Sequence, residues 1–133
     1  MIEQTLSIIK PDAIERNLDI KINNFFEKNN LKITRSKKVK ISKEEAAEFY
    51  KEHQTKPFYN NLCDYLSSGP IVVMILEGEN AILKNRQLMG ATDPTKAEEG
   101  TLRKMYGLSI DKNSVHGSDS LENAKIEINF FFK

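Results

Sequence analysis

The stretch I-V-V-M-I-L at 71–76 constrains the fold of this chain more than any other segment. Six consecutive apolar residues without polar alternation fit a strand that is covered on both faces. Such a strand needs paired neighbours at its edges and helices above and below. As a membrane span the run is far too short, since a spanning helix takes about 20 residues.

The rest of the chain supplies those neighbours. Q-T-L-S-I-I-K at 4–10 alternates, then turns apolar, and Pro11 closes it as a strand. Leu18 to Asn29 carries Ile22, Phe25 and Phe26 at amphipathic-helix spacing. Leu31 to Ile41 sets Leu31, Ile33, Val39 and Ile41 among lysines, which predicts a half-buried peripheral strand. Ser42-x-x-Glu45 is a capping box that opens a helix through about Glu52, and a second helix is expected from Phe58 to Ser67. After the 71–76 strand, Glu77-Gly78 reads as a turn, and Asn80 to Met89 as a helix stopped by Gly90. Residues 91–115, roughly 25 of them, show turn chemistry and little periodicity. A short strand is possible at 114–116. Leu121, Ala124, Ile128 and Phe131-Phe132 then mark a stripe on a last helix that ends the chain at Lys133. The order predicts an α/β class fold with a mixed sheet covered by helices, for which an α+β sandwich of ferredoxin-like type is the simplest fit. One domain, 1–133, is expected.

Charge and cysteine count narrow the chemistry. Twenty basic and nineteen acidic residues leave a formal charge of +1. No broad field therefore favours nucleic acid or a membrane surface. Cys63 is the only cysteine and the histidines number two, His53 and His116, which argues against a protein-held zinc site or an internal disulfide. M-I-E-Q-T at the start lacks the basic and apolar regions of a signal peptide, so a cytoplasmic location is expected. No phosphate-binding glycine loop of the P-loop or dinucleotide type is present, so any phosphate site must use individual cations and helix ends.

N-S-V-H-G-S-D-S at 113–120 places His116 just ahead of a helix start with Ser118, Asp119 and Ser120 as capping candidates. A neutral imidazole there can act as a nucleophile toward phosphorus. From the octet alone, a capped helix with His116 merely leading in is the plainer reading. Glu127, beside the apolar stripe, can reach back to an imidazole or simply face solvent. Lys10 ends a strand, Arg86 lies near a helix end and Arg103 sits in the long segment. Taken singly, each reads more readily as a surface cation. Phe58 and Tyr59 are either core aromatics or a platform for a base.

Six segments in order, T-L-S-I-I-K-P-D-A (5–13), E-F-Y-K-E-H-Q-T-K-P-F-Y (48–59), S-G-P-I-V-V-M-I-L-E-G-E-N-A-I (68–82), R-Q-L-M-G-A-T-D-P (86–94), E-G-T-L-R (99–103) and N-S-V-H-G-S-D-S, run over essentially the whole chain. Together they resemble the nucleoside diphosphate kinase family. The resemblance implies a four-stranded antiparallel sheet and ping-pong transfer of a γ-phosphoryl group through a phosphohistidine on His116, formed at Nδ1. It implies that Lys10, Arg86, Thr92, Arg103 and Asn113 hold phosphates and sugar hydroxyls. Phe58 would stack on the base with Leu62 nearby, and Tyr50 would lie by the phosphates. Glu127 would orient the imidazole, with Ser118 supporting it from the helix start. The implied partners are nucleoside triphosphates and diphosphates, the cofactor Mg²⁺ carried by the phosphates, and other copies of the chain. Family members form tetramers or hexamers built from dimers, and the short tail fits a tetramer or a looser assembly better. The alternative is an idle relative serving as a scaffold or nucleotide-binding module. At 17–20, N-L-D-I stands where relatives usually have a glycine near Ile20, which bears on the helix entry there.

Overall fold

The computed structural model describes residues 1–110 and 112–132. Lys133, the expected end of the last helix, lies outside the described residues. The chain runs β1 (Ile2–Ile9), α1 (Pro11–Glu15), α2 (Asp19–Lys28), β2 (Lys32–Val39), α3 (Lys43–Phe49), α4 (Tyr59–Leu66), β3 (Ile71–Glu79), α5 (Ala81–Met89), α6 (Leu102–Tyr106), β4 (Val115–Gly117) and α7 (Leu121–Phe131). Single 3-10 turns cover Lys51–His53 and Pro94–Lys96. The four strands make one antiparallel sheet in the order β2-β3-β1-β4. This is the expected α+β arrangement. No helix among the described residues is long and apolar enough to cross a membrane.

The 71–76 run sits at the centre of this sheet. Val72, Met74 and Leu76 pack on one face with Ile22 and Phe26 of α2 and Met89 of α5. Ile71 and Val73 pack on the other with Ala46 of α3, Leu66 of α4 and Phe131 of α7. A strand between two helical layers must be apolar at every position, because both pleat directions lead into a core. β1 divides in the same way, sending Ile9 to the first face and Leu6 and Ile8 to the second.

Several boundaries differ from the sequence expectation. Glu77-Gly78 is not a turn. β3 continues through Glu79, pairing Glu77, Gly78 and Glu79 with Gln4, Glu3 and Ile2. Gly78 serves there as a thin position, since a Cβ would lie 2.8 Å from the Asn30 carbonyl oxygen. Pro11 closes β1 as expected but also opens α1, with proline in the first helical turn where its missing N–H costs nothing. A single turn is too short to register as a period. The segment 91–115 holds the second 3-10 turn and α6, whose N-caps Asp93 and Thr101 accept from Thr95 and Lys104 backbone N–H groups. The helix begun at Ser42 stops at Phe49 rather than Glu52, and its capping box is formed on both sides. The helices expected at 18–29, 58–67 and 80–89 form within a residue of those limits at each end, and β4 lies one residue later than 114–116. In α7, Ala124 and Phe131 are buried as predicted, but Leu121 is exposed and Phe132 lies beyond the helix end. Asn17, at φ 58, takes the left-handed position ahead of α2, and Ile20 is exposed on that helix.

Candidate active site

A cleft of about 430 Å³ opens at the end of the sheet where β4 meets α5, α6 and α7. It is lined by Lys10, Tyr50, Phe58, Leu62, Arg86, Thr92, Arg103, Asn113, His116 and Glu127. These ten candidates come from every part of the chain. Ser118, the eleventh, is fully buried behind them.

His116 is placed by β4, where it pairs with Ile8 of β1. Its Nε2 lies 3.0 Å from Glu127 Oε1, one turn from the end of α7. The Ser118 hydroxyl donates to the same Glu127 oxygen at 2.8 Å and accepts the Leu6 backbone N–H at 3.3 Å. An ionised Glu127 takes the Nε2 proton as a hydrogen bond, so Nδ1 is left with the free lone pair. Ser118 and Asp119 do not cap α7. Ser120 does, accepting the Asn123 N–H at 3.1 Å, which leaves Ser118 for the carboxylate. The Phe49 ring meets the imidazole edge to face at 5.4 Å and 73°, a contact that further restricts ring rotation.

The cations approach from other elements. Lys10, at the end of β1, is buried, and its Nζ donates to Asn113 Oδ1 at 2.9 Å. Asn113 in turn donates from Nδ2 to the Thr92 carbonyl at 3.1 Å. Arg103 on α6 donates to the Gly90 carbonyl at 3.0 Å and to the Val115 carbonyl at 2.9 Å. Its buried Nε has no partner among the described residues. Burial, followed by the neighbouring Arg86 charge, pushes the Arg103 guanidinium down to about 10, so it remains cationic at neutral pH. Burial and then the Glu127 carboxylate raise the Tyr50 phenol well above its usual range, which keeps a neutral O–H in the site. Two buried cations, Lys10 and Arg103, sharing a cleft with an imidazole that has a free lone pair suit a polyphosphate.

Sequence reasoning passed over some of this lining. His53 and Glu52 stand at the mouth, with the His53 ring 5.9 Å from Phe58 and 6.2 Å from Tyr50. Phe58 is partly exposed beside them, an apolar face open to a ligand. The 3-10 turn that brings His53 there leaves no periodic signal. Gly117 is a packing requirement, since a Cβ would lie 2.2 Å from Asn85 Nδ2 of α5. Phe49 had no sequence cue either, because its contact with His116 joins residues far apart in the chain.

The fold and cleft define a class: an α+β sandwich with a carboxylate-oriented histidine among buried cations. Comparison with known proteins is consistent with that class and narrows it. The family model described as nucleoside diphosphate kinase matches residues 3–133. The nucleoside diphosphate kinase of a Nitratiruptor species is 59% identical over 130 residues, covering 98% of this chain and 95% of that protein. The nucleoside diphosphate kinase of Wolinella succinogenes matches at the same identity and coverage. A crystal structure of the Aquifex aeolicus nucleoside diphosphate kinase superposes with a TM-score of 0.97 at 39% identity, covering 100% of this chain and 96% of that one. The chain belongs to the nucleoside diphosphate kinase family.

Proposed function

We propose that this chain transfers the γ-phosphoryl group of a nucleoside triphosphate to a nucleoside diphosphate through a phosphohistidine on His116. The observation that carries the reading is the His116–Glu127 pair at 3.0 Å, inside a cleft lined by Lys10, Arg86 and Arg103. In the first half-reaction Nδ1 of His116 forms the N–P bond while the bond between the γ-phosphorus and the β,γ-bridging oxygen breaks. The electron pair of that bond leaves with the nucleoside diphosphate. Glu127 holds the ring through Nε2 and stabilises the positive charge that builds on it. In the second half-reaction the terminal phosphate oxygen of an incoming diphosphate attacks, and the N–P bond breaks. Positioning and charge neutralisation supply nearly all of the catalysis in such transfers.

Lys10, Arg86, Thr92, Arg103 and Asn113 hold the phosphates and sugar in this reading, Tyr50 lies by the phosphates, and Phe58 stacks on the base with Leu62 beside it. Stacking on an aromatic face tolerates any base, so all common diphosphates are accepted. A divalent cation, Mg²⁺ in this reading, would arrive with the nucleotide and would neutralise phosphate charge, with no protein ligand assigned to it. The same reading takes residues 1–133 as one domain acting in the cytoplasm as a homo-oligomer, a tetramer or hexamer built from dimers. An idle scaffold would need a missing nucleophile or missing cations, and the lining includes both. The test is to mix the purified protein with ATP and Mg²⁺ and measure intact mass. One added, acid-labile phosphoryl group that His116→Ala abolishes is expected. No added mass would overturn the reading.

A further inference from the structure

A second polar cluster lies just outside the cleft, around a carboxylate that the reaction as described does not use. The Asp12 side chain is 3% exposed. Its Oδ2 accepts from Ser114 Oγ at 2.8 Å and from Arg16 Nη2 at 3.1 Å. Its Oδ1 accepts from the Tyr65 hydroxyl, and that same hydroxyl accepts the Asp12 backbone N–H at 2.7 Å. Arg16 also donates to the Tyr106 carbonyl at 2.6 Å, at the end of α6. One buried carboxylate therefore ties together α1, α4 and the segment leading into β4. Burying a charge this far is tolerated only when hydrogen bonds satisfy it, and here both carboxylate oxygens are engaged.

The position of the cluster suggests its purpose. Ser114 is a non-glycine residue at φ 74, a left-handed conformation that a serine does not hold without support. Asp12 and Arg16 both hold its hydroxyl, Arg16 at 3.3 Å. Its carbonyl receives the Lys10 backbone N–H at 2.8 Å. Ser114 follows Asn113, whose side chain bonds Lys10 Nζ and the Thr92 carbonyl, and it precedes Val115-His116 of β4. Asp12 is itself two residues beyond Lys10. The bend at Ser114 sets where the Lys10–Asn113 pair stands relative to the nucleophile.

We propose that Asp12 is a positioning residue for the phosphate-holding side of the cleft, acting through Ser114 and Tyr65 to hold Asn113 and Lys10 in place for the nucleotide. The proposal rests on the phosphotransfer reading above. His116 itself is anchored separately, by β1, Glu127 and Phe49, so its nucleophilicity does not depend on Asp12. Burial and then the Asp12 hydrogen bond raise the Tyr65 phenol, which keeps it a donor to the carboxylate at every working pH.

The test compares two donors in single-turnover phosphorylation of the full chain: ATP with Mg²⁺, and phosphoramidate, which carries a phosphoryl group but no nucleoside. The variants are Asp12→Asn and the milder Tyr65→Phe, each also followed by thermal melting. Loss of outer-shell support of this kind typically costs about 10–100-fold. We expect kcat/KM for ATP to fall in that range, mainly through KM, and at least about tenfold further than the rate with phosphoramidate. An equal loss with both donors would overturn the proposal, since it would mean general loosening of the fold. Unchanged ATP kinetics in both variants would overturn it as well. If the parent forms no phosphohistidine with ATP, the phosphotransfer reading falls and this proposal falls with it.

Discussion

Glu127 and His116 meet through one hydrogen bond of 3.0 Å, and their contributions separate cleanly. In the proposed reading His116 forms the bond to phosphorus, whereas Glu127 orients and stabilises the ring. Glu127→Gln keeps the volume but loses the charge and can present the wrong partner to Nε2. We expect a loss of up to about 10⁴-fold, the scale seen when a histidine is held in the wrong tautomer. The variant should still carry phosphate on His116, slowly. Rapid-quench phosphorylation checks both parts, and parental speed would make Glu127 a bystander. Phe58 allows a second separation. Its ring is partly exposed at the cleft mouth, where a base can lie on it. Phe58→Ala should weaken purine and pyrimidine nucleotides together, by roughly 1–3 kcal/mol each, leaving the rate at saturation near the parent's. Competition assays in which one base is affected far more than the rest would refute stacking as its role.

Short pieces of backbone, more than long helices, decide how the site is built. β4 has three residues, and its Gly117 lies against Asn85 and Met89 of α5. A Cβ there would meet Asn85 Nδ2 at 2.2 Å and Met89 Cε at 2.8 Å, so α5 and β4 would have to part. Gly117→Ala is therefore expected to move His116 relative to Arg86, the residue after Asn85, and to lower both activity and melting temperature. Overpacking of this kind costs about 1–3 kcal/mol. Adding Asn85→Ala should recover part of both losses by giving the methyl group room. Gly117→Ala with parental activity, or a double variant no better than the single one, would count against this packing account. The capping box at Ser42 shows the opposite situation, in which S-x-x-E states its own helix start and the structure forms it on both sides. α1 and α6 have five residues each, and although Pro11 and Thr101 mark their starts, no repeat announces their apolar faces. A helix of one turn buries its residues through tertiary contacts, not through a repeat that a reader can count.

Two phenols weigh on the stability of the chain in alkali. Tyr50 and Tyr65 are both raised above the ordinary value of 10.0, the first by burial and then by Glu127, the second by burial and then by Asp12. Above about pH 10 the unfolded chain ionises these groups while the folded one keeps them protonated. The folded state then binds more protons, so stability falls as pH rises. Arg103, pushed down to about 10, works the other way. Tyr65→Phe removes one phenol and should reduce the alkaline slope of unfolding free energy by about one proton. Urea unfolding at several alkaline pH values measures that slope, and parallel lines for parent and variant would refute the assignment.

The two-sided apolar run at 71–76, the alternation before Pro11 and the capping signals at Ser42 and Gly90 are local properties of the chain. Local patterns were enough to indicate a strand buried between helical layers, and ordered family segments were enough to indicate ten of the residues that line the cleft. Contacts between distant residues are another matter. No period in the sequence reports that Asp12 reaches Ser114, that Phe49 packs on His116, or that Ser118 leaves the cap to Ser120 and bonds Glu127. Each of these depends on where strand register and helix packing bring atoms within about 3 to 5 Å, a range set by the whole sheet and its layers rather than by neighbours in the chain.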